Sequence, residues 1–362
     1  MHVVHIVGNG FDISAGLCTG AGSLIDEFCR IVDHGKNAPA PVRDLADTIR
    51  AEGLEYWSDF ERALGKYSVN KKVRDDSQAF LVAKSNFDAV LRECLVARNM
   101  LVDESFVEAN AAKCLTSLKN IFSGIEPGEQ RKRLEIQKNL SNPNYFSHHV
   151  TTLNYTQTLQ LMCERIGYSN TLIKDNLCGT HILQSFNYAH SSLDSMPVCG
   201  VDNANQIANE SFRNDADILA TFVKSEIQSD SGKIEDRAVF DLISQADIFC
   251  VHCAAFGETD TRWWQAIRDR MLNCPHAIMV VSSYSYKGNY HVPYERRIAR
   301  DEVINKFLDR CGAEGEHRKN LANRSFVLPS RTLFIISEPI EFEGLSNEAI
   351  AEIAERRFPE KR

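Results

Sequence analysis

Residues 4–17 read Val4-His5-Ile6-Val7-Gly8-Asn9-Gly10-Phe11-Asp12-Ile13-Ser14-Ala15-Gly16-Leu17. An apolar run enters a closely spaced glycine pair and leaves through a second small-residue step. A strand that stops at such glycines and turns into a helix lets backbone N–H groups approach a phosphate without Cβ obstruction. This reading predicts a nucleotide site at the first strand of an α/β sheet, with Gly8, Asn9, Gly10 and Phe11 as the cradle. The spacing departs from GxGxxG, since Ala15-Gly16 fills the third small position. Asp12 is the odd residue: beside a phosphate its carboxylate repels, so it either faces a ribose hydroxyl or caps the helix.

Working outward, helical spacing dominates to about residue 140. Trp57, Phe60, Glu61 and Leu64 fit a short helix. Phe87, Val90, Leu91, Cys94 and Leu95 fit a longer one, as do Val107, Leu115, Leu118 and Phe122. Pro127-Gly128 and Asn142-Pro143 break the pattern. Apolar runs at 149–153, 248–251, 278–281 and 332–336 read as buried strands. Their separation by helical stretches predicts a Rossmann-like, mostly parallel sheet with helices on both faces. The domain expectation is a sheet domain from 1–19 and 146–340, an inserted helical subdomain over 20–145, and a C-terminal helical tail over 341–362, whose last dozen residues read as a fraying helix. A loop from 202 leads to a helix over 218–227.

Composition narrows the class. At 362 residues, 43% hydrophobic and 25% charged, the chain fits a globular enzyme of two subdomains. Its net charge of −8 argues against a broad nucleic-acid surface. No run approaches the ~18 apolar residues of a membrane span, and the N-terminus opens on a core strand rather than a signal peptide. The 11 cysteines lie largely in apolar patterns, which suits reduced thiols and a cytoplasmic setting. No internal repeat is visible.

Three further segments carry polar residues where strands end. Thr152-Leu153-Asn154-Tyr155-Thr156 places Asn154 at a carboxyl end, where open α/β sheets hold ligands. Its amide can hold a water and donate to a ligand; the bland alternative is a helix cap. The segment 179–192 offers His181 and His190, either of which suits a general base. Residues 251–260 form a strand and small-residue turn containing Gly257 and Asp260, with Trp263 and Trp264 as core. Cys250 and Cys253 are an odd number apart and face opposite ways on a strand, so no metal site is expected. Asp59 and Glu61 are the only carboxylates considered for a metal-dependent nuclease.

In this order, Gly8-Asn9-Gly10-Phe11-Asp12, Trp57-Ser58-Asp59-Phe60-Glu61, Asn154-Tyr155-Thr156, Tyr188-Ala189-His190 and Phe256 to Asp260 resemble the abortive-infection AbiH family of anti-phage proteins. More distantly, the glycine loop and the Thr152–Thr156 strand end resemble the sirtuin-like NAD-binding fold. Ser191 stands where that fold has glycine after the histidine, and its four-cysteine zinc module is missing. The resemblance implies an anti-phage effector that hydrolyses NAD as substrate, with Asn154, His190 and Asp12 catalytic. Gly8, Asn9, Gly10, Phe11, Thr152, Gly257 and Asp260 would then hold the nucleotide. It also implies a phage trigger or regulatory protein, and a possible homo-oligomer. A nucleotide sensor without turnover is the alternative; a toxic nuclease ranks behind it.

Overall fold

The computed structural model describes residues 1–138, 145–169, 171–175, 179–194, 198–230, 235–283, 286, 292–329 and 333–359. Seven strands form one sheet: β1 (His2–Val7), β2 (Tyr145–Thr152), β3 (Thr171–Asp175), β4 (Gly179–Tyr188), β5 (Ile248–His252), β6 (Ile278–Ser283) and β7 (Ser325–Pro329). Their order is β3-β4-β2-β1-β5-β6-β7. Only β3 pairs antiparallel, at the edge beside β4. The six parallel strands, counted along the chain, run 3-2-1-4-5-6, the doubly wound arrangement with its switch point between β1 and β5. Ligands of such sheets lie outside the carboxyl ends at that point.

β1, β5, β6 and the carboxyl half of β2 form where expected because each buried run is flanked by turn residues. β1, β5 and β6 are almost wholly buried, as strands covered on both faces must be. Alternation then sorts their side chains. Val4, Ile6, Phe249, Val251, Met279 and Val281 share one face with Trp263, Trp264 and Ile267, so the tryptophans are core. His5, Cys250 and His252 alternate onto the other face.

Two expected elements differ. The sixth parallel strand is Ser325–Pro329, and the run at 333–336 is not a strand. Phe334 adopts φ 51° there and turns its ring edge onto His252 and His5, so burial of this apolar run comes from side-chain packing rather than a ladder. The helix expected over 218–227 is two helices, Ala216–Phe222 and Lys224–Asp230, broken where Val223 is extended and bridges Val201.

The chain divides into two compact units. One comprises 1–15, 102–189 and 235–339; the other comprises 16–101, 190–234 and 340–362. The helical insertion is thus split: helix Glu104–Lys119 belongs with the sheet, packed on helix Thr158–Ile166. The final helix, Asn347–Arg357, is not a fraying tail. Ser346 caps it, and Ile350, Ile353 and Ala354 are buried. It packs on helix Ala21–His34 of the second unit. Within that unit Gly16, at φ 86°, is required, because a Cβ would fall 1.8 Å from Ile340 O. Arg98 makes two bonds to Glu27, at 2.8 and 2.9 Å, in a fully buried ion pair.

Among the described residues no helix is long and apolar enough to cross a membrane.

Candidate active site at the carboxyl edge

The glycine turn after β1 is shaped by its neighbour β5. Gly8 N donates to His252 O at 2.8 Å and Gly10 N to Cys253 O at 3.2 Å. A Cβ on Gly8 would lie 2.6 Å from Cys253 O and 2.7 Å from Ala254 Cα. Glycine is therefore demanded by backbone-to-backbone approach at the switch point. Phe11 N donates to Gly8 O at 3.0 Å, so three of the four amides from Gly8 to Phe11 are bonded within the protein. The helix that follows, Gly10–Ser14, has only 5 residues. In this conformation the amides of Gly8, Gly10 and Phe11, expected from the sequence to cradle a pyrophosphate, are engaged in bonds within the protein. Asn9, exposed, is the helix N-cap position.

Asp12 is not the cap. It points inward from that short helix and is 1% exposed. Thr156 Oγ1 donates to Asp12 Oδ2 at 2.6 Å, and Thr158 Oγ1 donates to Thr156 Oγ1 at 3.3 Å. Burial pushes the Asp12 carboxyl up to about 6, against the pull of Thr156 and Asn154 towards the charged form. Asp12 Oδ1, Asn154 Oδ1 and Asn154 Nδ2 are buried and complete no hydrogen bond of good geometry among the described residues. A buried carboxyl and amide left this way are costly, which marks them for a ligand or a water.

The strand end of β2 positions Asn154. Leu153 N donates to Val7 O at 2.8 Å, and Asn154 N donates to Thr152 Oγ1 at 3.0 Å. Thr152 itself is buried, with Oγ1 3.4 Å from Val7 O. The following helix takes Gln157 as its N-cap, so neither Asn154 nor Thr156 serves as a cap. The Tyr188 hydroxyl, at the end of β4, lies 2.7 Å from Gln160 Oε1 and 3.2 Å from Thr156 O, fixing this corner.

The loop after β5 is strained and braced. Cys253 and Phe256 both have φ 53°, each costing of order ~1–3 kcal/mol for a residue with a Cβ. Arg310 holds the loop through Phe256 O at 2.9 Å and Glu258 Oε1 at 2.6 Å. Trp264 Nε1 donates to Gly257 O at 3.2 Å. Gly257 has φ −61°, open to any residue, and a Cβ there would meet only Thr259 and Asp260 at 3.9 Å or more. Packing does not demand this glycine. Asp260 occupies the N-cap position of helix Thr261–Asn273 without a side-chain capping bond.

The two candidate histidines separate. His181 lies near the amino end of β4, stacked on Phe146 at 4.3 Å and bonded to His148 at 2.9 Å. It is at the wrong end of the sheet for the carboxyl-edge site. His190 opens the second unit two residues after β4; it is buried, and its carbonyl accepts from Val198 N at 3.0 Å.

Asp59 and Glu61 have structural partners. Asp59 caps helix Phe60–Tyr67 by accepting from Arg62 N at 3.1 Å. Glu61 pairs with the buried Lys224 at 2.9 Å and accepts from Gly200 N at 3.0 Å.

A family model described as bacteriophage abortive infection AbiH matches residues 4–283. The chain belongs to the AbiH family. This gives it a bacterial anti-phage role in abortive infection. The match runs from β1 to the end of β6, so the AbiH region contains Asp12, Asn154, Thr156 and the loop through Asp260. No curated protein matches the chain.

Sequence reasoning missed a second polar constellation in this AbiH chain. His252, His5, His148 and His181, on β5, β1, β2 and β4, form a continuous hydrogen-bonded ladder. The links are 3.2 Å (His252 Nε2 to His5 Nδ1), 2.8 Å (His5 Nε2 to His148 Nδ1) and 2.9 Å (His148 Nε2 to His181 Nδ1). All four are buried. No sequence spacing announces it, because each member comes from a different strand.

Proposed function

We propose that this AbiH protein acts in abortive infection by binding NAD at the carboxyl edge of its sheet and hydrolysing it to ADP-ribose and nicotinamide. The observation that carries the reading is the buried Asp12 carboxyl beside Asn154, on the segments that follow β1 and β2, with polar atoms of both completing no hydrogen bond of good geometry among the described residues. Such a pair has a chemical use. Breaking the bond between ribose C1′ and the nicotinamide nitrogen sends the electron pair to nicotinamide and leaves an oxocarbenium-like ribose. An ionised Asp12 stabilises that cation. Asn154 Oδ1 holds the water that adds to C1′, while Nδ2 donates to a ribose hydroxyl. The proton the water gives up passes to solvent.

Gly257 and Asp260 fit the same reading, since glycine there leaves room beside a carboxylate that suits a ribose diol. The amides of Gly8 and Gly10 bond to the carbonyls of His252 and Cys253, and that of Phe11 closes the turn on Gly8 O, which favours a role in shaping the switch point over a grip on phosphate. Glu61 and Asp59, both engaged elsewhere, favour this reading over a nuclease.

The test is purified protein with NAD, followed by chromatography of nicotinamide and ADP-ribose. Release that falls ~10²–10⁴-fold in Asn154→Ala supports the proposal, the scale of a lost positioning or proton-transfer group. Tight calorimetric binding of NAD without release points instead to a nucleotide sensor. Neither binding nor release removes NAD from the account.

A further inference from the structure

The histidine ladder ends in something other than histidine. Beside its His5–His252 link lies Cys250, two residues before His252 on β5 and therefore on the same face of the strand. A ring nitrogen of His5, a ring nitrogen of His252 and the Cys250 sulfur lie within 4.8 Å of one another, and all three residues are buried. His252 Nδ1 is buried without a hydrogen-bond partner among the described residues. A neutral, apolar-lined interior gives no reason to gather two imidazoles and a thiol around an unsatisfied nitrogen.

We propose that His5, His252 and Cys250 form a binding site for a borderline-soft first-row cation, zinc in the first place. The donor set is right: neutral imidazole and thiolate are the ligands zinc prefers, and three protein ligands are its pattern when a further position is filled from outside the chain. The spacing is right as well. Two nitrogens at ~2.0–2.1 Å from one zinc stand roughly 3.3 Å apart at a tetrahedral angle, and His5 Nδ1 and His252 Nε2 are 3.2 Å apart.

The support His5 needs as a ligand is already built. Ligating histidines donate their second ring N–H to a fixed acceptor, which sets the tautomer and ring orientation. His5 Nε2 is 2.8 Å from His148 Nδ1, and His148 Nε2 is 2.9 Å from His181 Nδ1. With His5 ligating through Nδ1 and His252 through Nε2, the ion replaces their direct link, and each of the two remaining links has one donor and one acceptor. Phe334 closes the site, its ring centroid 4.6 Å from that of His252 and 5.8 Å from that of His5. Binding releases the Cys250 thiol proton to solvent, and the two imidazoles coordinate through lone pairs.

The ion clamps β1 to β5 immediately beneath the glycine turn, since His252 O is the acceptor for Gly8 N. A second cluster, Asp247, Cys274 and His276, is a weaker candidate. Arg270 stands 3.7 Å from Asp247 Oδ1 and opposes a cation there.

Metal analysis of the full chain purified without chelators tests the site, together with cobalt(II) substitution. The expected result is one zinc per chain, and a thiolate-to-cobalt charge-transfer band in the near ultraviolet. Both should be lost in Cys250→Val and in His252→Gln, and kept in Cys274→Ser. Stoichiometric copper with the same variant pattern supports the site with a softer ion. Should Cys250→Val fail to fold by circular dichroism, the Cys274→Ser protein decides: a thiolate band there supports the site. The proposal is overturned if folded wild-type protein takes up no stoichiometric metal or cobalt shows no thiolate band. It is equally overturned if metal survives in a folded Cys250→Val or disappears in Cys274→Ser.

Discussion

The Thr156 hydroxyl donates to Asp12 Oδ2 at 2.6 Å, tying the segment after β2 to the short helix after β1 across 144 positions of sequence. This bond joins the two most distinctive motifs of the chain, Gly8–Asp12 and Asn154–Thr156. It satisfies one carboxylate oxygen and leaves the other for a ligand. The motifs are thus two halves of one buried polar cluster at the carboxyl edge.

Asp12 should cost the fold stability at neutral pH. Its carboxyl is raised from 3.8 to about 6, so the native state keeps a proton that the unfolded chain gives up on passing pH 4. Stability therefore falls as pH rises from about 4 to 6, and the full penalty, roughly 3 kcal/mol, stands above that. Asp12→Asn keeps an acceptor for Thr156 and removes the penalty. Denaturant melts should show the variant more stable than the parent at pH 7.5 and little different at pH 4. Equal stability at both values would remove the titration argument.

The same group sets a pH profile for the proposed hydrolysis. The ionised carboxylate stabilises the ribose cation, so nicotinamide release should rise through pH ~6. Asp12→Asn should lower it by ~10²-fold or more at pH 7.5. A flat profile from pH 5 to 8 would contradict this role.

Gly8→Ala should damage the switch point without removing a polar group. The added methyl meets Cys253 O at 2.6 Å and Ala254 Cα at 2.7 Å, backbone atoms that cannot swing aside. We expect a loss of ~1–3 kcal/mol, read as a fall in Tm of roughly 2–4 °C per kcal/mol. An unchanged Tm would show that the loop after β5 is looser than its hydrogen bonds imply.

Glu61→Ala should unfold or loosen the second unit. It strands the buried Lys224 ammonium and the Gly200 N–H, and breaking a buried pair from one side costs ~3–5 kcal/mol. Wild-type protein with magnesium should leave tRNA and plasmid intact. Cleavage abolished by a folded Glu61→Gln would revive the nuclease reading.

Legibility in the sequence followed local pattern. β1, β5 and β6 are short, strongly apolar and bounded by turn residues, so they could be read, as could the carboxyl half of β2. β4 mixes Thr180, His181, Gln184, Ser185 and Asn187 with apolar residues, and its alternation is too weak to read. The run at 332–336 has strand composition, but β7 at Ser325–Pro329 takes the place beside β6. Domain limits were hidden because the second unit is assembled from three separated segments. Asn154 and Asp12 were legible as residues at strand ends; their partner Thr156, and the whole histidine ladder, depend on neighbours that only the strand order supplies.

That division also bears on truncation. Removing 20–145 takes away helix Glu104–Lys119, which covers helix Thr158–Ile166 in the sheet unit. The truncated chain should show no cooperative unfolding transition. A cooperative melt would mean the sheet folds without that helix.

The most direct measurement is the NAD pool of bacteria carrying the chain, followed through phage infection beside Asn154→Ala and Asp12→Asn strains with equal protein levels. The account predicts a collapse of NAD on infection in the parent, and none in either variant, with protection lost in both. Protection by the parent with an undiminished NAD pool would contradict it.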